Sequence, residues 1–279
     1  MHQSVAALPC RGLRAYVRAF AQRNIPALSP DVLQSVPACL ESMLELDFAN
    51  SPIIEYLNGT CEQGCPVSIV GPHTECRARM RLRGPVESFR VFFKPLALWQ
   101  LFEVPIRLLV DRAYTAEAVL GREVLLLSQS MARHRSFPER VRLVEEYLLR
   151  RTAGLCPLTG TVSSALHILA LDGAPSVATL ATREGLGVRQ FERRFLSEMG
   201  MCPKLFSRIA RYQRALDSKV ASPARSWLGI AHEFGYHDQM HMVRDFQSLG
   251  GASPSGTLLQ LGDMRPIARE PAAGQRYRN

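Results

Sequence analysis

Arg189 and Arg193 stand four residues apart in Val188-Arg189-Gln190-Phe191-Glu192-Arg193-Arg194-Phe195. On a helix that spacing makes them neighbours on one face, so both guanidinium groups reach the same strip of space. A guanidinium fork can donate two parallel hydrogen bonds to guanine O6 and N7 in the major groove. A second stretch, Gln239-Met240-His241-Met242-Val243-Arg244-Asp245-Phe246, offers comparable groups. Projected at about 100° per residue, Val188, Phe191, Phe195 and Met199 form an apolar side of the first helix, with Arg189, Arg193 and Leu196 opposite. In the second helix Met242, Phe246 and Leu249 cluster, while Gln239, Met240, Val243, Arg244 and Gln247 lie away from them. A helix that reads DNA needs this division: one face buried in its domain, the other offering donors to base edges. Helix N-terminal amides and further basic residues then hold phosphates.

The elements that must position these residues form a repeat. Leu180-Ala181 and Gly185 return 50 positions later as Ile230-Ala231 and Gly235. Arg193, Phe195, Gly200 and Pro203 return 51 positions later as Arg244, Phe246, Gly251 and Pro254. The extra residue falls in the turn, where a change of length is absorbed most easily. Each copy reads as a short apolar helix, a glycine-containing turn and a second helix, the helix-turn-helix pattern. In the second copy Trp227, Ile230, Ala231 and Phe234 follow the i, i+3, i+4, i+7 period. Gly235 then permits the positive φ that ends a helix, and Asp238 suits the N-cap of the next.

Other clusters compete for a chemical role. His237 and His241 have a zinc-compatible i, i+4 spacing, but His232 and His237 are one residue too far apart for a metalloprotease signature, and Gly235 intervenes. Cys61, Cys65, His73 and Cys76 could supply a Cys₃His site, although their spacing matches no strong zinc pattern. The sequence holds no nucleophile elbow, Walker loop or dinucleotide fingerprint. The expectation is therefore no catalytic residue, no metal site and no cofactor. The alternative is a thiol- or metal-dependent sensor or DNA-repair enzyme, built on residues 61–76 and fused to the DNA reader.

The chain has 279 residues, 47% of them hydrophobic and 21% charged, which places it among globular rather than disordered or fibrous proteins. No run of eighteen apolar residues suggests a membrane span, and the first residues lack the pattern of a signal peptide. A cytoplasmic location is expected. The formal charge of +9 suits an anionic partner, but Lys94, Lys204 and Lys219 are the sole lysines. Compositional bias toward arginine produces such a charge without any binding role. Seven cysteines in a cytosolic chain imply reduced thiols rather than a disulfide framework. Residues from about 30 to 95 read as short strands broken by Gly and Pro, and residues 96–150 as helices, with Val141, Val144 and Leu148 on one stripe. The expected organisation is a sensor region at 1–155, a helical DNA-binding domain at 160–262 and a disordered tail at 263–279.

The run from Ile230 to Phe246, followed by Gly251 and Ser253-Pro254, resembles the signature of AraC/XylS-type transcription regulators. Leu180-Ala181, Phe191-Glu192-Arg193-Arg194-Phe195, Gly200 and Pro203-Lys204-Leu205-Phe206 resemble that family's first motif. The resemblance covers about residues 160–260. It implies seven helices, with a long one from Pro203 to Lys219 joining two motifs, and two reading helices entering adjacent major grooves. It places base contacts on Arg189 and Arg193, and on Gln239, Met240 and Arg244, with Gln190, Arg194 and His241 beside them and Glu192 nearby. It implies promoter DNA as partner, with RNA polymerase, a small-molecule effector and a second copy of the chain as further candidates. Gln247-Ser248 departs from the basic residues common there, and the Tyr-Arg usual after Ser-Pro is missing. Leu13–Val17, Ile69–Pro72, Phe89–Pro95 and Glu139–Glu145 faintly resemble the family's N-terminal, partly β, cupin-like module. The expected fold class is thus α+β.

Overall fold

A computed structural model describes residues 3–27, 29–155, 160–170 and 175–261. The first half is built on ten described strands: β1 (Gln3–Ala7), β2 (Val17–Ile25), β3 (Val32–Val36), β4 (Ser42–Asp47), β5 (Ile53–Tyr56), β6 (Cys61–Gln63), β7 (Val67–Val70), β8 (Ala78–Leu82), β9 (Val86–Phe93) and β10 (Ala113–Thr115). They pair antiparallel in two sheets, β1-β2-β9-β4-β7-β10 and β3-β8-β5-β6. Strands begin before residue 30 and recur after residue 95, wider limits than the sequence suggests. The reason is visible in β2, where Phe20 packs on one face and Ala19, Ala21 and Ile25 on the other. A strand buried on both faces loses the alternation that betrays a half-exposed one.

The larger sheet separates two interiors. Phe20, Leu44, Leu46, Ile69, Phe89, Val91 and Phe93 join the main apolar core with the helices α1 (Ala97–Phe102), α2 (Ala116–Leu120), α3 (Glu123–Arg133) and α4 (Phe137–Arg151). α4 starts at a capping box, Ser136 accepting the Glu139 N–H and donating to its carboxylate. Val144 and Leu148 of the expected stripe are buried and Val141 packs on their margin. Arg140 is 1% exposed and staples α4 to the sheet: it donates to the Met131 and His134 carbonyls and to Gln22, and pairs with Glu87. Opposite, toward the smaller sheet, the filling is more polar, with Arg23 donating to Gln34 and Arg90 paired with Glu45.

The second half consists of seven described helices: α5 (Gly160–Ala170), α6 (Val177–Arg183), α7 (Val188–Met199), α8 (Pro203–Ala221), α9 (Trp227–Glu233), α10 (Gln239–Gly250) and α11 (Pro254–Leu261). That number agrees with the expectation, and α8 is the long connector. The chain is thus α+β, antiparallel sheets followed by an all-helical region. Among the described residues no helix is long and apolar enough to cross a membrane. The expected boundary falls on residues 156–159 and the expected tail on 263–279, all outside the described residues.

Candidate nucleic-acid interface

α6 and α7 form the first motif. Ser176 caps α6 by accepting the Thr179 N–H at 3.0 Å, and Leu180 and Ala181 are buried. Gly185 turns the chain at φ +66°, and Gly187 caps α7 with no side-chain hydrogen bond. Phe191, Phe195 and Met199 are buried, the Phe195 ring lying edge-on to Phe206 of α8. Arg189, Gln190, Glu192, Arg193 and Arg194 are exposed. Arg194 is engaged along the helix by Glu198 at 2.9 Å. Val188, expected on the buried side, is instead 43% exposed. It opens a first turn, residues 187–190, that projects wholly into solvent.

α9 and α10 form the second motif. Ser226 caps α9 through the Gly229 N–H, and Asp238 caps α10 by accepting the His241 N–H at 2.6 Å. That bond holds the Asp238 carboxyl below its ordinary pKa. Gly235 turns at φ +68°. Met242, Phe246 and Leu249 are buried, the Phe246 ring packed between Tyr212 and Trp227. Gln239, Met240 and Arg244 are exposed, as are Gln247 and Ser248. His241 is half-buried, with its ring edge-on to Tyr236 and its Nε2 3.5 Å from Arg211. It therefore faces α8 more than the solvent. Its Nδ1 accepts the His237 N–H at 3.4 Å.

One group on this helix carries no signal of DNA reading yet fixes it in place. Asp245 is buried on the apolar stripe and takes Arg208 and Arg211 of α8, each at 2.8 Å. Arg211 also lies over the Tyr236 ring. The clue in the sequence is an acid at the interior spacing Met242, Asp245, Phe246, Leu249, where a free carboxylate would be costly.

Both motifs rest on the first half of the chain through equivalent residues. Gly200 and Gly251 end the two reading helices at φ +72° and +77°. A Cβ on Gly200 would stand 2.8 Å from the Arg107 Cα and the Val110 side chain; one on Gly251 would stand 2.9 Å from Cys76 Sγ. Leu249 also accepts the Ala38 N–H at 2.7 Å. The reading helices are thus held by their C-terminal ends, which leaves their N-terminal turns open.

The cysteine cluster does not assemble. Cys61 and Cys65 are exposed, Cys76 lies under Gly251, and His73 is backbone-bridged to Cys39. Among the described residues no group of three or more His, Cys, Asp or Glu could hold a metal.

Residues 180–260 match the helix-turn-helix domain family. No curated protein matches the sequence. Solved structures of ToxT from Vibrio cholerae are similar in fold. That of strain O395 is 8% identical, with 94% of this chain and 98% of that one covered and a TM-score of 0.51. The same protein bound to (E)-4-(8-methylnaphthalen-1-yl)but-3-enoic acid is 10% identical, covering 93% and 99%, with a TM-score of 0.51. Wild-type ToxT of strain SCE256 bound to an unsaturated fatty acid is 11% identical, covering 86% and 97%, again at 0.51.

Proposed function

We propose, for a chain that is by its C-terminal domain a DNA-binding transcription regulator of the AraC/XylS type, that α7 and α10 enter successive major grooves about 34 Å apart. Arg189 and Arg193 would read bases from α7, and Gln239, Met240 and Arg244 from α10. Gln190 and Arg194 would hold phosphates, and His241 would brace the second helix. The observation that carries this reading is the pair of reading helices, each buried by its aromatic stripe and exposed along its arginine face. Regulatory region 1–155 and DNA-binding region 160–262 would work together in the cytoplasm, on promoter DNA beside RNA polymerase. A homodimer would be the functional unit, and no catalytic step is proposed for the chain.

We infer further that DNA binding responds to a small-molecule effector held in the first half. ToxT, of similar fold, is known bound to two carboxylic acids. Here a partly open cavity of about 170 Å³ lies between the two sheets. Its wall reaches the DNA-binding half: Cys39 lines the cavity, and Gln213 of α8 donates to Cys39 Sγ at 3.2 Å while accepting the Leu40 N–H at 2.9 Å. A ligand that moves Cys39 therefore moves the helix joining both motifs. The test is selection of duplexes from a random pool by the full chain, followed by gel-shift measurement of Arg193→Ala and Arg244→Ala. Retention of wild-type affinity and footprint by both folded variants refutes the base-contact assignment.

A further inference from the structure

The space between the two sheets is closed at one end and hollow at the other. Ile25, Met80, Leu82 and Val86 pack the closed end. Met43, Ile54, Val70, Met80 and Phe92 give the hollow end its apolar wall, beside polar and charged residues. An apolar cavity of roughly 150 Å³ holds benzene, so this partly open one has room for a single substituted ring.

The most buried charges around the cavity are paired already. Arg90 pairs with Glu45 at 2.6 Å and Arg18 with Glu41 at 2.7 Å. Glu75 holds Arg77, and Asp111 accepts the Thr74 N–H and hydroxyl at 2.8 and 2.7 Å. Glu62 and Arg112, of opposite sign and both exposed at the rim, meet the neutral hydroxyls of Tyr56 and Tyr114. A ligand charge deep inside would therefore be desolvated among pairs already formed, since Glu62 and Arg112, which meet neutral hydroxyls, stand exposed at the rim. His73 also lines the cavity, its backbone fixed by reciprocal 2.8 Å hydrogen bonds with Cys39. Burial lowers the pKa of its imidazole, so the ring is neutral at pH 7, with one donor and one acceptor nitrogen.

We propose that this cavity binds a compact uncharged aromatic molecule bearing one hydroxyl, a simple phenol in chemical class, with His73 as its hydrogen-bond partner. The proposal rests on the reading of the first half as the effector-binding region.

The test titrates 4-methylphenol, toluene, octanoate and hexylamine into the full chain, read by calorimetry and thermal shift. 4-Methylphenol should bind about tenfold more tightly than toluene, the worth of one net hydrogen bond. Both should bind more tightly than either ion. His73→Leu should reduce 4-methylphenol to the affinity of toluene and leave toluene unchanged. Toluene binding also reports that the variant's cavity is intact. Met43→Trp, which fills the cavity, should abolish both. Preferential binding of octanoate or hexylamine, absence of aromatic binding, or an unchanged preference for 4-methylphenol in His73→Leu would overturn the assignment. DNA affinity measured alongside separates the two readings. Binding of 4-methylphenol with unchanged DNA affinity refutes the effector role and keeps the ligand class. DNA affinity that responds to a different molecule and not to 4-methylphenol refutes the class and keeps the role.

Discussion

The two helix-turn-helix motifs share a skeleton but differ along one row of the reading helix. Arg194 of α7 and Asp245 of α10 occupy equivalent positions, 51 residues apart. Arg194 is exposed and paired with Glu198 on its own helix. Asp245 is buried and bound to Arg208 and Arg211 of α8. Next along the row, Leu249 is buried and its carbonyl accepts from Ala38 in the first half. The N-caps differ in the same direction, a glycine with no side-chain bond for α7 and an aspartate for α10. The first motif thus offers more positive charge on a helix held by apolar packing, and the second offers less on a helix held also by ion pairs to α8 and a hydrogen bond to the first half. Orientation and phosphate attraction are separable properties, and this chain distributes them unequally.

The largest expected effect tests the fixed side. Asp245→Ala strands two partly buried guanidinium groups and should cost about 3 kcal/mol of stability, measured by chemical denaturation. Arg194→Ala removes only an exposed pair and should change stability by less than about 0.5 kcal/mol. Equal losses would erase the contrast between the motifs. Next come Arg193→Ala and Arg244→Ala, each expected to weaken specific DNA binding by about ten- to a hundredfold while the fold is kept. A smaller effect sharpens the difference in charge: Arg194→Ala should lower the slope of log affinity against log salt by about one, and Gln247→Lys should raise it by as much. The smallest concerns the cap of α10. The Asp238 carboxyl has a depressed pKa in the fold, so its contribution is present above the ordinary value of 3.8 and is lost as pH falls below it. Amide exchange at the start of α10 should therefore quicken in acid, and Asp238→Asn should flatten that response. The start of α7, capped by Gly187, should show no matching titration.

The repeat was legible because its signals are local. Glycines at positive φ, the aspartate cap of α10 and an aromatic stripe at helical spacing depend on neighbours within a few residues. The strand β2 was not, since burial of both faces hides the period of two. Val188 misled for a related reason: periodicity describes which side of a helix is apolar but not where its packing partners stop. The role of Asp245 could be suspected from its place on the apolar stripe, but its arginine partners lie 34 and 37 residues away in the chain.

The sequence by itself determined that the second half is two capped, glycine-turned helix pairs with arginines on their open faces, because each of those features is settled by contacts a few residues long. Only the tertiary structure decided that Asp245 latches α10 to α8 by a buried ion pair while Arg194 pairs along its own helix. It alone decided that Gly200 and Gly251 dock both motifs on the first half, and that Cys39, which lines a cavity with His73, is hydrogen-bonded to Gln213 of α8. Those pairings join residues far apart along the chain, and what selects them is the shape and burial of surfaces that exist only once both halves have folded.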